Sequence, residues 1–296
     1  MVTTKKGWYV GRKNNNKLNR TLLKVKSDTE LKFGLIGLSL LVFVAVFASL
    51  LVPFDPYFFG PDVLNKLGEN QHILGTNHLG QDIFSMILYG VRTSLMVAVG
   101  SALISAVIGI LVGGIAGYFG GKIDLVITEC INAFMMVPTF FLILLIIALF
   151  DSSITNVMIV IGLTTWPSNA KLIRAQALSI RERTYVKSAV AMGETNLQIL
   201  FKYIIPNGIF PVLANTTIGM SNAILTEAGL SFLGLGDPNV ISWGQMIFMG
   251  KQYLTSAWWI STFAGIAIVF TVTVFYLLGD GLNHVLDPKH KSRKDA

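Results

Sequence analysis

TYVKSAVAMGETNLQILFKYIIPN, Thr184 to Asn207, is a polar island in an otherwise apolar chain. Val186, Ala189 and Val190 fall on one helical face, and Leu197, Leu200, Phe201 and Ile204 follow i, i+3, i+4, i+7 spacing. The spacing predicts two short helices. Gly193 lies between them as a break or a helix C-terminus, Thr195 with Gln198 fits a capping box, and Pro206 can close the second helix. A helical hairpin is expected. Such an element could lie on headgroups, with Lys187 and Lys202 near anionic lipid. Its modest polarity contrast and the small residues Ser188, Ala189, Ala191 and Gly193 favour close helix contact, and hence a protein partner.

The surroundings of this island are membrane-like. Of 296 residues, 53% are apolar and 13% charged, against about 25% charged in soluble domains. Apolar runs of about twenty residues suffice to cross a hydrocarbon core of about 30 Å. Six are expected: Phe33 to Val52, Ser94 to Ala116, Val126 to Leu149, Ile154 to Ile173, Gly208 to Leu230 and Trp258 to Leu278. Unpaired amides are not tolerated in lipid, so the chain reads as an all-α membrane protein of six transmembrane helices. The first run is too long for a signal-peptide core, follows a long tail and meets Pro53 with no A-x-A site, so it is expected to be retained. Cys130 has no cysteine partner and is expected as a small buried side chain.

The net charge of +7 sorts by side. The tail 1–32 carries Lys5, Lys6, Arg12, Lys13, Lys17, Arg20, Lys24, Lys26 and Lys32; the tail 284–296 carries Lys289, Lys291, Arg293 and Lys294. With both tails cytosolic, Lys122, Lys171, Arg174, Arg181, Arg183, Lys187 and Lys202 fall on the same side, leaving Lys66, Lys251 and the edge residue Arg92 outside. This asymmetry accounts for the basic excess, and no base-reading motif accompanies it, so nucleic acid is not an expected partner. The organisation is then a basic tail (1–32), a first helix with a long outer loop (33–91), a core (92–283) containing the cytosolic loop 181–207, and a basic tail (284–296). A second long outer segment runs from Ser231 to Ala257, with Trp243, Trp258 and Trp259 expected as interfacial anchors.

No catalytic constellation is visible. GYFGGKI, Gly117 to Ile123, approaches a phosphate loop but has Ala116 at the first glycine position and Ile123 in place of Ser or Thr. HExxH, CxxC and GxSxG do not occur, and His72, His78, His284 and His290 divide between the two sides. Neither a metal site nor an enzyme is expected. Acids within spans cost about 2.5 to 3.5 kcal/mol at the bilayer centre and are functional candidates by default. Glu129 and Asp280 sit close to the cytosolic side and Glu227 near the outer end of its span, which favours capping or helix pairing; Glu227 and Asn222 are kept as translocation-path candidates. Pro138, Pro167 and Pro211 are expected to bend their helices.

TYVKSAVAMG followed by ILFKYIIPN resembles the EAA loop of ABC importer permeases. Lys187, Ser188 and Ala189 stand at its Glu-Ala-Ala, Gly193 at its glycine, and Ile205 and Pro206 at its end. HILGTNHLGQDIFSMILYGVRTSLMVAVG, His72 to Gly100, is similar to the H-P-L-G-T-D-x-x-G-R-D-x-x-S-R signature of the dipeptide, oligopeptide and nickel permease family. ILTEAGLSFLGLGDP (Ile224 to Pro238) with SWG (Ser242 to Gly244), and LLGDGLNHVLDPKHK (Leu277 to Lys291), resemble two further signatures of that family. The departures are Lys187, Asn77 and Asn132 where an acid is usual, and Gln81 and Met86 in place of arginine.

The resemblance implies a type I ABC importer permease fold, in a bacterial or archaeal cell membrane, with a cytosolic coupling-helix hairpin between spans four and five. It implies docking of that hairpin on an ATPase subunit through Tyr185, Lys187, Ser188, Ala189, Met192, Gly193, Glu194, Thr195 and Asn196. The implied partners are a second homologous permease, two ATPase subunits and an extracytoplasmic binding protein. ATP and magnesium would sit on the ATPases, with no cofactor on this chain. Di- or oligopeptide is the expected cargo, with nickel or another metal chelate as the alternative. An ion-coupled secondary transporter would need ionisable groups at midplane and an inverted repeat of broken helices, and neither is evident.

Overall fold

The computed structural model describes residues 28–286, so most of the basic residues in the two tails lie outside the described residues. Helix α1, Thr29–Leu51, is capped by Asp28, whose Oδ1 accepts from the Leu31 amide at 2.9 Å, and it stops at Val52, ahead of Pro53. Helix α2, Ile83–Phe119, spans 37 residues. It starts well before the expected Ser94 because Asp82 caps it through the Ser85 amide at 2.7 Å. Arg92, expected at a span's edge, is thereby placed inside α2. Its guanidinium donates to the carbonyls of Ala45 (2.6 Å) and Val46 (3.1 Å) and to Ser49 Oγ (2.9 Å), which ties α2 to the last turns of α1.

The expected third span is two helices, α3 (Gly121–Met136) and α4 (Thr139–Leu149), bent by 80°. Pro138 removes one donor and pushes Val137 into extended backbone, which ends α3 there. Cys130 is exposed on α3, contrary to expectation. Helix α5, Ile154–Arg181, carries Pro167 inside it. The short helices α6 (Thr184–Ala191) and α7 (Asn196–Ile199) follow. A π-helical turn, Leu200–Ile204, then leads into α8 (Ile205–Gly208), with Pro206 in its first turn rather than closing the preceding helix. The chain bends by 61° into α9, Phe210–Phe232, before α10 (Trp243–Gly250) and α11 (Trp259–Leu286).

Helices α1, α2 and α11 are each long and apolar enough to cross a membrane, and two bent pairs qualify if each forms one span. Helix α5 is long enough, but its polar residues from Thr164 to Asn169 interrupt the apolar run.

The α2–α5 seam depends on glycine. Gly109, Gly113 and Gly117 recur every fourth residue and form one small-residue ridge, the pattern that lets membrane helices approach backbone to backbone. A Cβ on Gly109 would lie 2.5 Å from Asn169 Cβ, and one on Gly117 would lie 2.5 Å from the Arg174 carbonyl oxygen. Elsewhere α1, α2, α9, α10 and α11 share a core that includes Leu41, Ile83, Met86, Ile224 and Phe275.

The outer loop is fixed by side chains. Two of the expected interfacial tryptophans are buried donors: Trp243 Nε1 donates to the Ile87 carbonyl and Trp259 Nε1 to the Thr76 carbonyl, both at 3.1 Å. Only Trp258 among these three is exposed. Three departures from the related signature touch one another here. Asn77 is fully buried and its Nδ2 donates to Gln81 Oε1 at 2.8 Å and faces Met86 Sδ at 3.7 Å. An acid–arginine–arginine set has thus become a neutral amide–amide–thioether set, so that no charge is left uncompensated. Asn77→Asp alone is expected to cost about 3 kcal/mol, because the new carboxylate would face the Gln81 oxygen. Asn77→Asp with Gln81→Arg is expected to recover most of it. Thermal unfolding of the detergent-purified variants measures both; equal melting of the single and double variants would refute the compensation.

Candidate functional site: the polar hairpin and the inter-helix cavity

The hairpin forms its own small core. Val186 and Ala189 of α6 pack with Ile199, Leu200 and Ile204 and against Ala177 and Ile180 of α5. Gly193 has φ +83° and nothing within 4 Å of an added Cβ, so backbone conformation, rather than space, is the reason for glycine. The Glu194 amide closes back on the Ala189 carbonyl at 3.2 Å. The capping box is present: Gln198 N donates to Thr195 Oγ1, and Thr195 N donates to Gln198 Oε1 at 2.9 Å.

The residues named from sequence divide by burial. Tyr185 and Met192 are exposed, Met192 by 73%. Lys187 is exposed and pairs with Glu182 at 3.0 Å, and Ser188 Oγ donates to the Thr184 carbonyl at 2.9 Å. Ala189 is fully buried, so it supports α6 from within and offers no outer contact. Glu194 accepts from Tyr203 Oη at 2.7 Å and Lys202 Nζ at 3.0 Å, and these bonds, Tyr203 first, hold its carboxyl below the usual range. Asn196 Oδ1 accepts from Tyr118 Oη of α2 at 2.9 Å. Arg181 Nη1 donates to the Gly117 carbonyl at 3.1 Å, so α2 holds the hairpin from both sides.

Leu197 and Phe201 do not share the buried face of Leu200 and Ile204, as the periodicity predicted. They turn outward, 63% and 53% exposed, as do Val190 and Met192 at the end of α6. The wider π-helical turn rotates successive residues differently from a regular helix, which is where 3.6-residue counting fails. Exposed apolar residues on so polar an element are informative.

The two path candidates separate. Glu227 is buried; its Oε1 accepts from Ser231 Oγ (2.9 Å) and from Ser242 Oγ (2.7 Å), which ties α9 to the cap of α10. Asn222 is exposed and lines a cavity of about 260 Å³ between α2, α5 and α9. That cavity also has Ser105, Thr165, Asn169, Asn215 and Gly219 in its wall. Asn215 Nδ2 donates to Asn169 Oδ1 at 2.9 Å, and Asn169 Nδ2 to Ser105 Oγ at 3.2 Å.

Among the described residues one group could approach a metal ion: Asp28, Glu30 and His284 bring a ligand atom each within 4.8 Å of one another. His284 Nδ1 lies 3.5 Å from Asp28 and 3.4 Å from Glu30, and its Nε2 lies 3.8 Å from Asp280. This cluster joins the start of α1 to the end of α11.

Comparison with known proteins matches residues 109–292 to the family described as "Binding-protein-dependent transport system inner membrane component". The chain is 35% identical over 260 residues to the dipeptide transport system permease protein DppC of Alkalihalophilus pseudofirmus, covering 88% of this chain and 86% of that one. It is 36% identical over 255 residues to the glutathione transport system permease protein GsiD of Pectobacterium atrosepticum, covering 86% and 85%. Among solved structures, an inward-facing MetNI methionine ABC transporter chain superposes with a TM-score of 0.55 at 21% identity, covering 69% of this chain and 98% of that one. The fold is that of a type I ABC importer permease, embedded in a membrane. By family match and by identity along most of its length, this chain belongs to the inner-membrane components of binding-protein-dependent transport systems.

Proposed function

We propose that this chain is one of two permease subunits of an ATP-driven importer, that its cargo is a di- or oligopeptide, and that residues 181–207 form the cytosolic element through which ATPase subunits move it. The observation that carries the proposal is the hairpin: a polar element with its own small core that nevertheless leaves Val190, Met192, Leu197 and Phe201 exposed. Lipid does not need the built-in Glu194–Lys202–Tyr203 and Tyr118–Asn196 bonds, whereas a lever does. Six spans follow if α3 and α4 together cross once, α9 crosses by itself after the cytosolic hairpin, and α5 crosses with its polar stretch shielded from lipid. Both tails then lie in the cytosol, in a bacterial or archaeal cell membrane.

In this scheme ATP and magnesium sit on two partner ATPases, and a binding protein delivers cargo from outside. ATP closes the ATPase pair, the docked hairpin follows, and the tilt passes through α7, the π-helical turn and α8 into α9. Coupling requires only that the ATPases hold the hairpin differently in two global states. Relatives are named for dipeptide and glutathione, which favours peptide over a metal chelate.

The test is a Met192→Cys chain reconstituted with its partners in proteoliposomes. Cross-linking is expected to capture an ATPase subunit, in a yield that changes between nucleotide-free and ATP-trapped states, and uptake is expected to follow ATP and ignore a proton gradient. Capture of lipid alone, or uptake that persists after the ATPase is inactivated, would sink the proposal.

A further inference from the structure

An acid buried in a membrane helix is costly and marks a function by default. Glu227, in the last turns of α9, accepts two hydroxyls on one oxygen, and the two bonds differ in what they join. Ser231 Oγ, at 2.9 Å, belongs to α9 itself, so that bond stays within the helix. Ser242 Oγ, at 2.7 Å, belongs to the N-cap of α10. The Ser242 hydroxyl has one proton and two lone pairs; the proton goes to Glu227, and the oxygen accepts from the Gln245 amide at 3.1 Å. The backbones follow the same seam. A Cβ on Gly244 of α10 would lie 2.7 Å from Ala228 Cα and 2.9 Å from Ser231 Cβ, both on α9. Just past α10, Lys251 Nζ donates to the carbonyl of Phe232, the last residue of α9, at 3.1 Å. The other side of α10 is looser. There it meets the outer loop across a cavity of about 290 Å³, with Leu79 and Gln81 on one wall and Gln245 and Met249 on the other. It reaches α2 through the bond from Trp243 Nε1 to the Ile87 carbonyl.

We propose that Glu227 is a positioning residue that makes α10 a rigid extension of α9, so that the tilt delivered by the hairpin reaches the outer face and swings α10 against the outer loop. The proposal rests on the importer function above and names the outer element that the lever moves. Close-packed seams transmit strain instead of absorbing it, and the α9–α10 seam is packed backbone to backbone at Gly244. The boundary with the outer loop has empty volume to move into and is bridged to α2 by an indole–carbonyl bond. Under load the second joint yields first. What the seam asks of position 227 is an acceptor oxygen that two hydroxyls can share, which the amide of glutamine also supplies.

The test places nitroxide labels at Leu79→Cys and Met249→Cys, on opposite walls of the outer cavity, in the full transporter with saturating binding protein. Label separation is expected to differ between nucleotide-free and ATP-trapped states. In Glu227→Ala that difference is expected to vanish and uptake per ATP hydrolysed to fall by at least about tenfold, while the Met192→Cys cross-link still responds to nucleotide. Glu227→Gln is expected to restore both. Two serine variants divide the clamp without emptying its centre. Ser242→Gly removes the bond that crosses to α10 and keeps an acceptable helix cap; Ser231→Ala removes only the bond within α9. Uptake per ATP is expected to fall in the first and to hold in the second. A label separation that ignores nucleotide, one that changes equally in Glu227→Ala, failure of Glu227→Gln to restore coupling, or equal effects of the two serine variants overturns the proposal. A Met192→Cys cross-link that ignores nucleotide in the chain with Glu227 intact overturns the importer mechanism instead, and this proposal with it.

Discussion

Gly113→Val is expected to leave no stable, assembled protein. A Cβ at Gly113 falls on the Ala170 carbonyl oxygen, 2.6 Å from Ile173 Cγ2 and 2.7 Å from Ala170 Cα. Two of these three atoms belong to the backbone of α5, so no rotamer change relieves the contact. Overpacking that side chains can absorb costs about 1–3 kcal/mol. Here α2 and α5 must separate, which opens the seam on both sides of Gly113 and loosens the Gly109 and Gly117 contacts as well. The cost is expected to exceed about 3 kcal/mol, a large part of the roughly 5–15 kcal/mol that holds a protein folded. Gly219→Ala is the control, because it adds the same first carbon in open space. The two are compared by monodisperse yield and thermal unfolding after detergent extraction. A Gly113→Val protein that melts with the Gly219→Ala control would show that the seam tolerates a side chain, and the account of α2–α5 packing would fail.

Met192→Asp combined with Leu197→Asp is expected to abolish uptake while leaving the chain folded. Both side chains are largely exposed, at 73% and 63%, so neither contributes to the hairpin core. Docked on an ATPase, each would bury a large apolar side chain worth about 1.5–3 kcal/mol, and the introduced carboxylates would have to be desolvated without a partner. Central apolar anchors of this kind cost about 2 kcal/mol or more when lost, so the pair is expected to weaken docking by at least about a hundredfold. Co-purification of the ATPase subunits and ATP-driven uptake report the loss, and unchanged thermal unfolding reports the intact fold. Normal uptake by the double variant would remove the apolar outer face from the coupling mechanism.

Lys187, at the position where the related EAA loop has an acid, is exposed and paired with Glu182 at the end of α5. That pair turns the charge back onto the chain's own surface, and exposed pairs of this kind contribute less than about 1 kcal/mol. The substitution is therefore compatible with the hairpin, whose order depends on buried Val186 and Ala189 instead.

What the residues alone determined is the local physics. Apolar runs announce helices that must satisfy their own amides. Thr195, Gln198 and Gly193 announce the joint of the hairpin, because caps and left-handed turns involve groups within four residues. The break at Pro138 is visible for the same reason. The glycine ridge Gly109–Gly113–Gly117 was also present as a spacing signal, though the spacing does not say which helix it meets.

Tertiary structure decided which faces are covered. Ala189 is sealed and Leu197 released because α5 and the end of α2 close on one side of the hairpin, with Tyr118 reaching Asn196 across 78 positions of sequence. Trp243 and Trp259 read as interface anchors until the carbonyls of Ile87 and Thr76 are brought to their indole nitrogens from more than 150 residues away. Asn222 and Glu227, five residues apart on α9, point to a cavity and to a structural clamp respectively. Periodicity states that a helix has faces; the free energy of burial, summed over contacts made by distant segments, assigns each face its neighbour.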